Sequence, residues 1–220
     1  MTPSSLADGD RLVELADAYA ARWGVEGDRT SQASFVILDV SWYAFAPLVA
    51  SLLLDDSFPG LRDASVWLDP STREGSLALA DAASVRRGID ELRAEIEAFM
   101  TPVVDAIVAR RWLGRRAAWL GVGDRVVGAF EHLGPAAGSA ARARALAEAL
   151  VHAPGSPLDS PRHRFVELEV AGRTHAVGMR ASCCRFYRVP GTDKCLTCPL
   201  LDDEEREPRL RAWLSELTAS

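Results

Sequence analysis

Apolar residues recur at intervals of three and four along most of the chain up to His152, the pattern of helices that bury one face. Ala7–Trp23 carries Leu12, Leu15, Ala16, Tyr19, Ala20 and Trp23 on that period; Asp8 or Asp10 is placed to cap it and Gly24 to stop it. Phe35–Leu54 is a 20-residue stretch with one charged side chain, Asp39. Its length suits a bilayer span. Asp39, Ser41, Pro47 and Ser51 punctuate it, however, which predicts a buried helix pair or a core helix instead. Ala64–Leu68 and Ser76–Ala80 read as short strands joined by the turn-rich Asp69–Gly75, a β-hairpin. A helix is expected from Ser84 to about Leu113, kinked or broken at Pro102. Two more are expected over Arg115–Leu133, closed by Gly134-Pro135, and over Ser139–His152.

Beyond His152 the pattern changes. Ala153–Pro161 holds three prolines and a glycine in nine residues and predicts a linker. Phe165–Val170 alternates, Ala171–Arg173 can turn, and Thr174–Met179 can return as the partner strand. The chain closes with a helical period over Pro208–Thr218, from Leu210, Trp213, Leu214 and Leu217. The fold class predicted is α+β, mostly helical, with short antiparallel strands and a cysteine-rich C-terminal segment. Residues 1–153 form a mainly helical region and residues 162–220 a hairpin plus the cysteine segment, two parts that can pack as one compact domain.

Composition adds limits rather than detail. The chain has 220 residues, 48% hydrophobic and 25% charged, which excludes disordered, collagen-like and coiled-coil classes. A net charge of -6 with no large basic block argues against a nucleic-acid partner. Met1–Asp10 has neither a basic region nor an apolar run, so it does not read as a secretory signal. The expectation is a cytoplasmic protein with no membrane span, peripheral membrane contact being left open.

The chemistry concentrates in one place. All 4 cysteines, Cys183, Cys184, Cys195 and Cys198, fall in a C-C-x10-C-x2-C pattern. In a reducing compartment such clustering points to metal rather than disulfides. The turn at Cys195–Cys198 can bring two sulfurs to one ion, and Pro199 stiffens the chain behind it. Vicinal Cys183 and Cys184 would point to opposite faces of an extended strand. They must therefore sit in a turn or divide between two metal ions, which favours a two-iron cluster. A structural four-cysteine zinc site remains an alternative, although only one of its usual two C-x2-C knuckles is present. Two disulfides and buried free thiols are weaker ones.

The spacing and C-terminal position of these residues resemble the signature of the FhuF-like ferric iron reductase family. Members release iron from ferric siderophores in the cytoplasm. The resemblance implies a 2Fe-2S cluster held by Cys183, Cys184, Cys195 and Cys198, and an oxidoreductase that reduces Fe³⁺ to Fe²⁺ in a siderophore. It covers under a tenth of the chain, and no second motif fixes substrate-binding residues. The rival functions are a zinc-stabilised binding or scaffold module and an iron–sulfur redox sensor. No GxGxxG loop opens a strand–turn–helix unit, so electrons are expected from a protein or diffusible donor rather than a bound dinucleotide.

Charges near the cysteines complicate this reading. Arg180, Arg185, Arg188 and Lys194, less Asp193, leave three positive charges beside the sulfurs. They favour holding an anionic cluster but raise its potential. The run Asp202–Glu205 with Glu207 offsets them if it folds back; a solvated helix start is the plainer expectation. Arg110–Arg116 reads as a helix end rather than a chelate site. His132, His152, His163 and His175 lack a chelating spacing and read as surface or capping residues. Packing is the default for Phe186, Tyr187 and the tryptophans.

Overall fold

The computed structural model describes residues 2–72 and 74–219. Its elements are α1 (Pro3–Ala7), α2 (Gly9–Trp23), α3 (Arg29–Asp55), β1 (Ser57–Phe58), β2 (Ser65–Asp69), β3 (Glu74–Ala78), β4 (Val85–Arg86), α4 (Ile89–Ala109), α5 (Arg115–Ala136), α6 (Ala140–Val151), β5 (Arg164–Val170), β6 (Arg173–Met179) and α7 (Asp203–Ala219). The class is α+β, as the pattern predicted. The strands form antiparallel pairs, β1 with β4, β2 with β3 and β5 with β6.

The apolar stretch is one core helix rather than a pair. α3 begins at Arg29, where the Asp28 carboxylate caps it by accepting from the Ser31 N–H at 3.1 Å. It runs through Pro47, and Val36, Val40, Ala44, Phe45, Leu48 and Val49 are all 0% exposed. α3 is long and apolar enough to cross a membrane, yet that apolar surface is spent inside the protein, chiefly against α5 and α2. Its one central acid is satisfied too: Asp39 accepts from the Tyr19 hydroxyl at 2.7 Å and pairs with Arg125.

Elsewhere the boundaries shift. The stretch after Ser84 begins as strand β4, because Val85 and Arg86 pair with Phe58 and Ser57. α4 starts only at Ile89, where the Glu91 side chain accepts from the Gly88 N–H at 2.9 Å. Pro102 lies inside α4 without ending it, α5 closes at Ala136, one residue past the expected Gly134-Pro135 stop, and Pro208 lies inside α7, which starts five residues before the expected Pro208. The hairpin β2–β3 pairs Trp67 with Ser76, so its second strand runs two residues earlier than the pattern placed it. Residues 153–161 hold no helix or strand, but they do not hang free. Leu158 and Ser160 are buried, and Arg116 on α5 donates to the carbonyls of Pro157 and Asp159.

Two apolar clusters result. The larger joins α1–α6; the smaller packs Leu168, Val170, Val177 and Met179 of the β5–β6 hairpin against Leu210 and Leu214 of α7. The cysteine segment, residues 180–200, lies between the hairpin and α7 in sequence and contacts the large cluster through Phe186 and Val189. Phe186 packs edge-on against Trp23 and Phe35, with ring centres 5.2 and 6.2 Å away.

Asp28 also ties that segment to the helical body: Arg185 reaches it at 3.2 Å and Arg188 at 3.4 Å. Burial works against the Asp28 carboxylate, but hydrogen bonds from Ser31 and Arg185 hold its pKa at about 2, below the ordinary 3.8. A depressed carboxyl stabilises the fold above the unfolded-state pKa and loses that contribution as pH falls through the folded one. Asp28→Asn should therefore cost about 2 kcal/mol at neutral pH. Denaturant titrations should show the gap between wild type and variant closing as pH is lowered from 4 towards 2.

Candidate metal centre and adjoining cleft

Strand β6 ends at Met179 and delivers Arg180 straight into the cysteine segment. What holds the next residues is a carboxylate on α5. Asp124, with a fully buried side chain, accepts from the Ala181 N–H at 2.6 Å, the Ser182 N–H at 2.9 Å and the Ser182 hydroxyl at 2.5 Å. It also faces His163 Nε2 at 3.0 Å and Arg180 Nε at 4.0 Å. Two successive N–H groups offered to one carboxylate fix the direction in which the chain enters the vicinal cysteines. His163 fits because residue 123 is glycine: a Cβ there would come within 2.8 Å of its ring. This buried position corrects the expectation of a surface or capping histidine at 163. His132 and His152 are exposed.

The chain then turns. Arg185 adopts a left-handed conformation, φ 60°, uncommon for a residue with a side chain. Its guanidinium bonds to Ser31 and Asp28 offset the cost. A 3-10 turn, Phe186–Arg188, follows, and Thr192 caps it by donating to the Phe186 and Val189 carbonyls. The Cys195–Cys198 turn closes on itself through the Cys198 N–H to Cys195 carbonyl bond, 3.0 Å. α7 fastens it from outside: Arg206 donates to the carbonyls of Cys198 and Leu201, and Arg209 to that of Lys194.

All four thiols are free. Cys184 Sγ and Cys195 Sγ stand 3.5 Å apart, far beyond the roughly 2.05 Å of a disulfide. That separation is close to the spacing of two sulfurs on one tetrahedral metal ion, about 3.8 Å for metal–sulfur bonds near 2.3 Å. The vicinal pair sits in a turn, with the Arg185 N–H donating to Cys183 Sγ at 3.4 Å. Among the described residues no three His, Cys, Asp or Glu side chains converge on a single metal position.

Electrostatics single out the Cys184–Cys195 pair. Cys195 supports the Cys184 thiolate by hydrogen bonding, burial opposes it, and Arg180 adds its charge; the Cys184 pKa falls to about 5. The Cys195 thiol is pushed up by the same hydrogen bond, and burial raises Cys183 to about 11. Arg180 Nη1 lies 3.5 Å from Cys195 Sγ. Burial works against the Arg180 charge, but the Cys184 thiolate and the Asp124 carboxylate outweigh it and its pKa rises. Of the four cations expected beside the cysteines, Arg180 is the one that reaches a sulfur; Lys194 turns to Glu205 at 3.8 Å.

Residues 180–200 match the family model of the FhuF 2Fe-2S C-terminal domain. The tail of this chain is a 2Fe-2S-binding segment. No curated protein matches the chain.

On one side of this segment opens a cleft of about 870 Å³. Cys184, Cys195 and Arg180 form one wall; Trp23, Phe35, Trp42, Phe186 and Trp213 supply apolar surface, and Arg125, Asp39 and Glu131 polar groups. The sequence reading named none of these as substrate residues and missed Asp124 altogether. The available signal was the charged pair Asp124-Arg125 in the otherwise apolar run Trp119–Phe130, with Gly121, Gly123 and Gly128 around it, the pattern of a helix face kept low for close approach.

Asp124→Ala should leave two backbone N–H groups and His163 without their acceptor, costing about 2–4 kcal/mol. Iron and sulfide content should fall more steeply than helical content, which circular dichroism and metal analysis on the same preparation will compare.

Proposed function

We propose that the chain is a cytoplasmic ferric-siderophore reductase in which Cys183, Cys184, Cys195 and Cys198 hold the 2Fe-2S cluster and the 870 Å³ cleft receives the ferric chelate. One observation carries the reading: two of the four cysteines, together with the cation beside them, form a wall of the largest cleft described. A cluster of this type supplies one electron at low potential, about −400 mV for all-cysteine two-iron centres.

That is the chemistry a siderophore calls for. Hard oxygen donors bind Fe³⁺ tightly and Fe²⁺ far more weakly, so a single electron releases the metal and no nucleophile or general base is required. The ferric chelate gains one electron and the ferrous ion leaves it. The protein's contribution is placement. Aromatic rings give the chelator an apolar bed, and Trp42 is backed by the Arg125 guanidinium 5.6 Å above its ring. Arg125 is itself tied to Asp39 at 3.6 Å and to the Leu38 carbonyl at 3.0 Å, so it presents a braced surface rather than a mobile charge.

The match of residues 180–200 to a 2Fe-2S domain model favours this reading over a mononuclear zinc scaffold. Anaerobically purified protein should be red-brown, bleach on reduction and give an EPR signal, with iron and sulfide in equal amounts. A colourless protein with one tight zinc per chain overturns the proposal. Mixing reduced protein with a ferric hydroxamate and a ferrous trap separates turnover from sensing, since a sensor releases no iron. Cys198→Ser should lose cluster and activity together. Arg180→Gln should keep the iron but lower the reduction potential, on the order of 100 mV for a unit charge at this range, as read by protein-film voltammetry.

A further inference from the structure

The cysteine segment has a second opening. A cavity of about 310 Å³ lies on the Cys183 side, lined by Cys183 and Cys184 but by neither Cys195 nor Cys198. Its surface differs from that of the large cleft. No acidic side chain lines it, whereas Asp39, Asp124 and Glu131 line the other. Arg162 and Arg185 stand in its wall, and Leu113 and Ala117 bring the start of α5 to it, with exposed Arg116 next in sequence to Ala117. Arg116 is held by the Pro157 and Asp159 carbonyls, close in sequence to Arg162. Neither Arg116 nor Arg162 is paired with a carboxylate among the described residues. Arg185 is paired, with Asp28. Leu200, half exposed at 51%, adds an apolar contact behind Pro199. A local basic rim around apolar residues, in a chain of net charge -6, is the surface that a negatively charged partner would select.

We infer that this opening is the docking site of the electron donor, a small acidic one-electron carrier protein, so that donor and ferric chelate approach the cysteines from different sides. The inference rests on the ferric-siderophore reading. One electron leaves the reduced carrier, which is oxidised by one, and the ferric ion is reduced by one; no atom or proton changes hands. The two openings share only Leu38 and Cys184 in their linings, which leaves room for both partners at once. Charge on the donor side is suited to steering a protein, and aromatic surface on the chelate side to holding a compact ligand.

The test uses the cluster-loaded protein and an oxidised plant-type ferredoxin as probe, with binding read by isothermal titration calorimetry. Binding should weaken at least about tenfold between roughly 20 and 200 mM salt. Arg162→Glu and, separately, Leu200→Glu should each weaken it about tenfold at low salt, with iron content and circular dichroism unchanged. Arg11→Glu, a charge reversal on the exposed face of α2, should leave it unaltered. Saturating ferric hydroxamate should not displace the ferredoxin. No binding at low salt, equal binding by Arg162→Glu and Leu200→Glu, or displacement by the chelate would overturn the inference. Iron release by the wild-type protein with dithionite as reductant tests the ferric-siderophore reading alone, so the two can fail separately.

Discussion

The cysteine segment depends on one buried carboxylate. Asp124 takes two backbone N–H groups and a hydroxyl immediately before Cys183, so the position of the first two sulfurs is set from α5 rather than from within their own loop. A charged acceptor inside the protein is tolerated only when its lone pairs are used. Here His163 and Arg180 complete the set. The second half of the segment is fixed by the opposite kind of bond: guanidinium groups of Arg206 and Arg209 on α7 take up carbonyls at Lys194, Cys198 and Leu201. One turn is therefore held by its donors and the other by its acceptors, from two different helices. A loop without a ladder or a helix of its own gains a defined shape in this way.

This arrangement explains why vicinal cysteines serve here at all. On a regular strand their sulfurs would diverge. The left-handed Arg185 bends the chain directly after them, and Asp28 and Ser31 stabilise that bend from the start of α3. Cys184 of the vicinal pair then meets Cys195 of the other pair, 3.5 Å away. The helical body supplies the constraint, so the short motif is not self-sufficient.

Periodicity made the helices legible, and spacing made the cysteines legible. α2, α5, α6 and the β5–β6 hairpin follow from local pattern because their apolar faces repeat at the period of the element. The β1–β4 pair was not legible: two residues carry too little pattern, and its register depends on Ser57 meeting Arg86 across the chain. Prolines misled in the same way at positions 102 and 208, which lie inside α4 and α7 without breaking them. Asp124 and Asp28 escaped because their meaning lies in contacts with residues 57 and 157 positions away, and sequence distance carries no sign of that.

The same long-range contacts change the electrostatic account of the centre. By sequence, four cations crowd the cysteines with a single acid to oppose them, a field that holds an anionic cluster but makes it a poorer reductant. In the fold Asp28 faces Arg185 and Arg188, Glu205 faces Lys194, and Asp124 faces Arg180. Three further carboxylates then stand against the four cations, and among the described residues Arg180 is the cation whose side chain reaches a sulfur. The charge that remains is small and local, at the Cys184–Cys195 pair on the wall of the large cleft. A localised positive charge stabilises an added electron nearest to itself. Placed there rather than spread around the loop, it favours the side of the large cleft, which Arg180 and Cys195 line and the smaller opening does not reach. Its cost to the driving force is that of about one cation, partly neutralised by the carboxylate that also holds the loop.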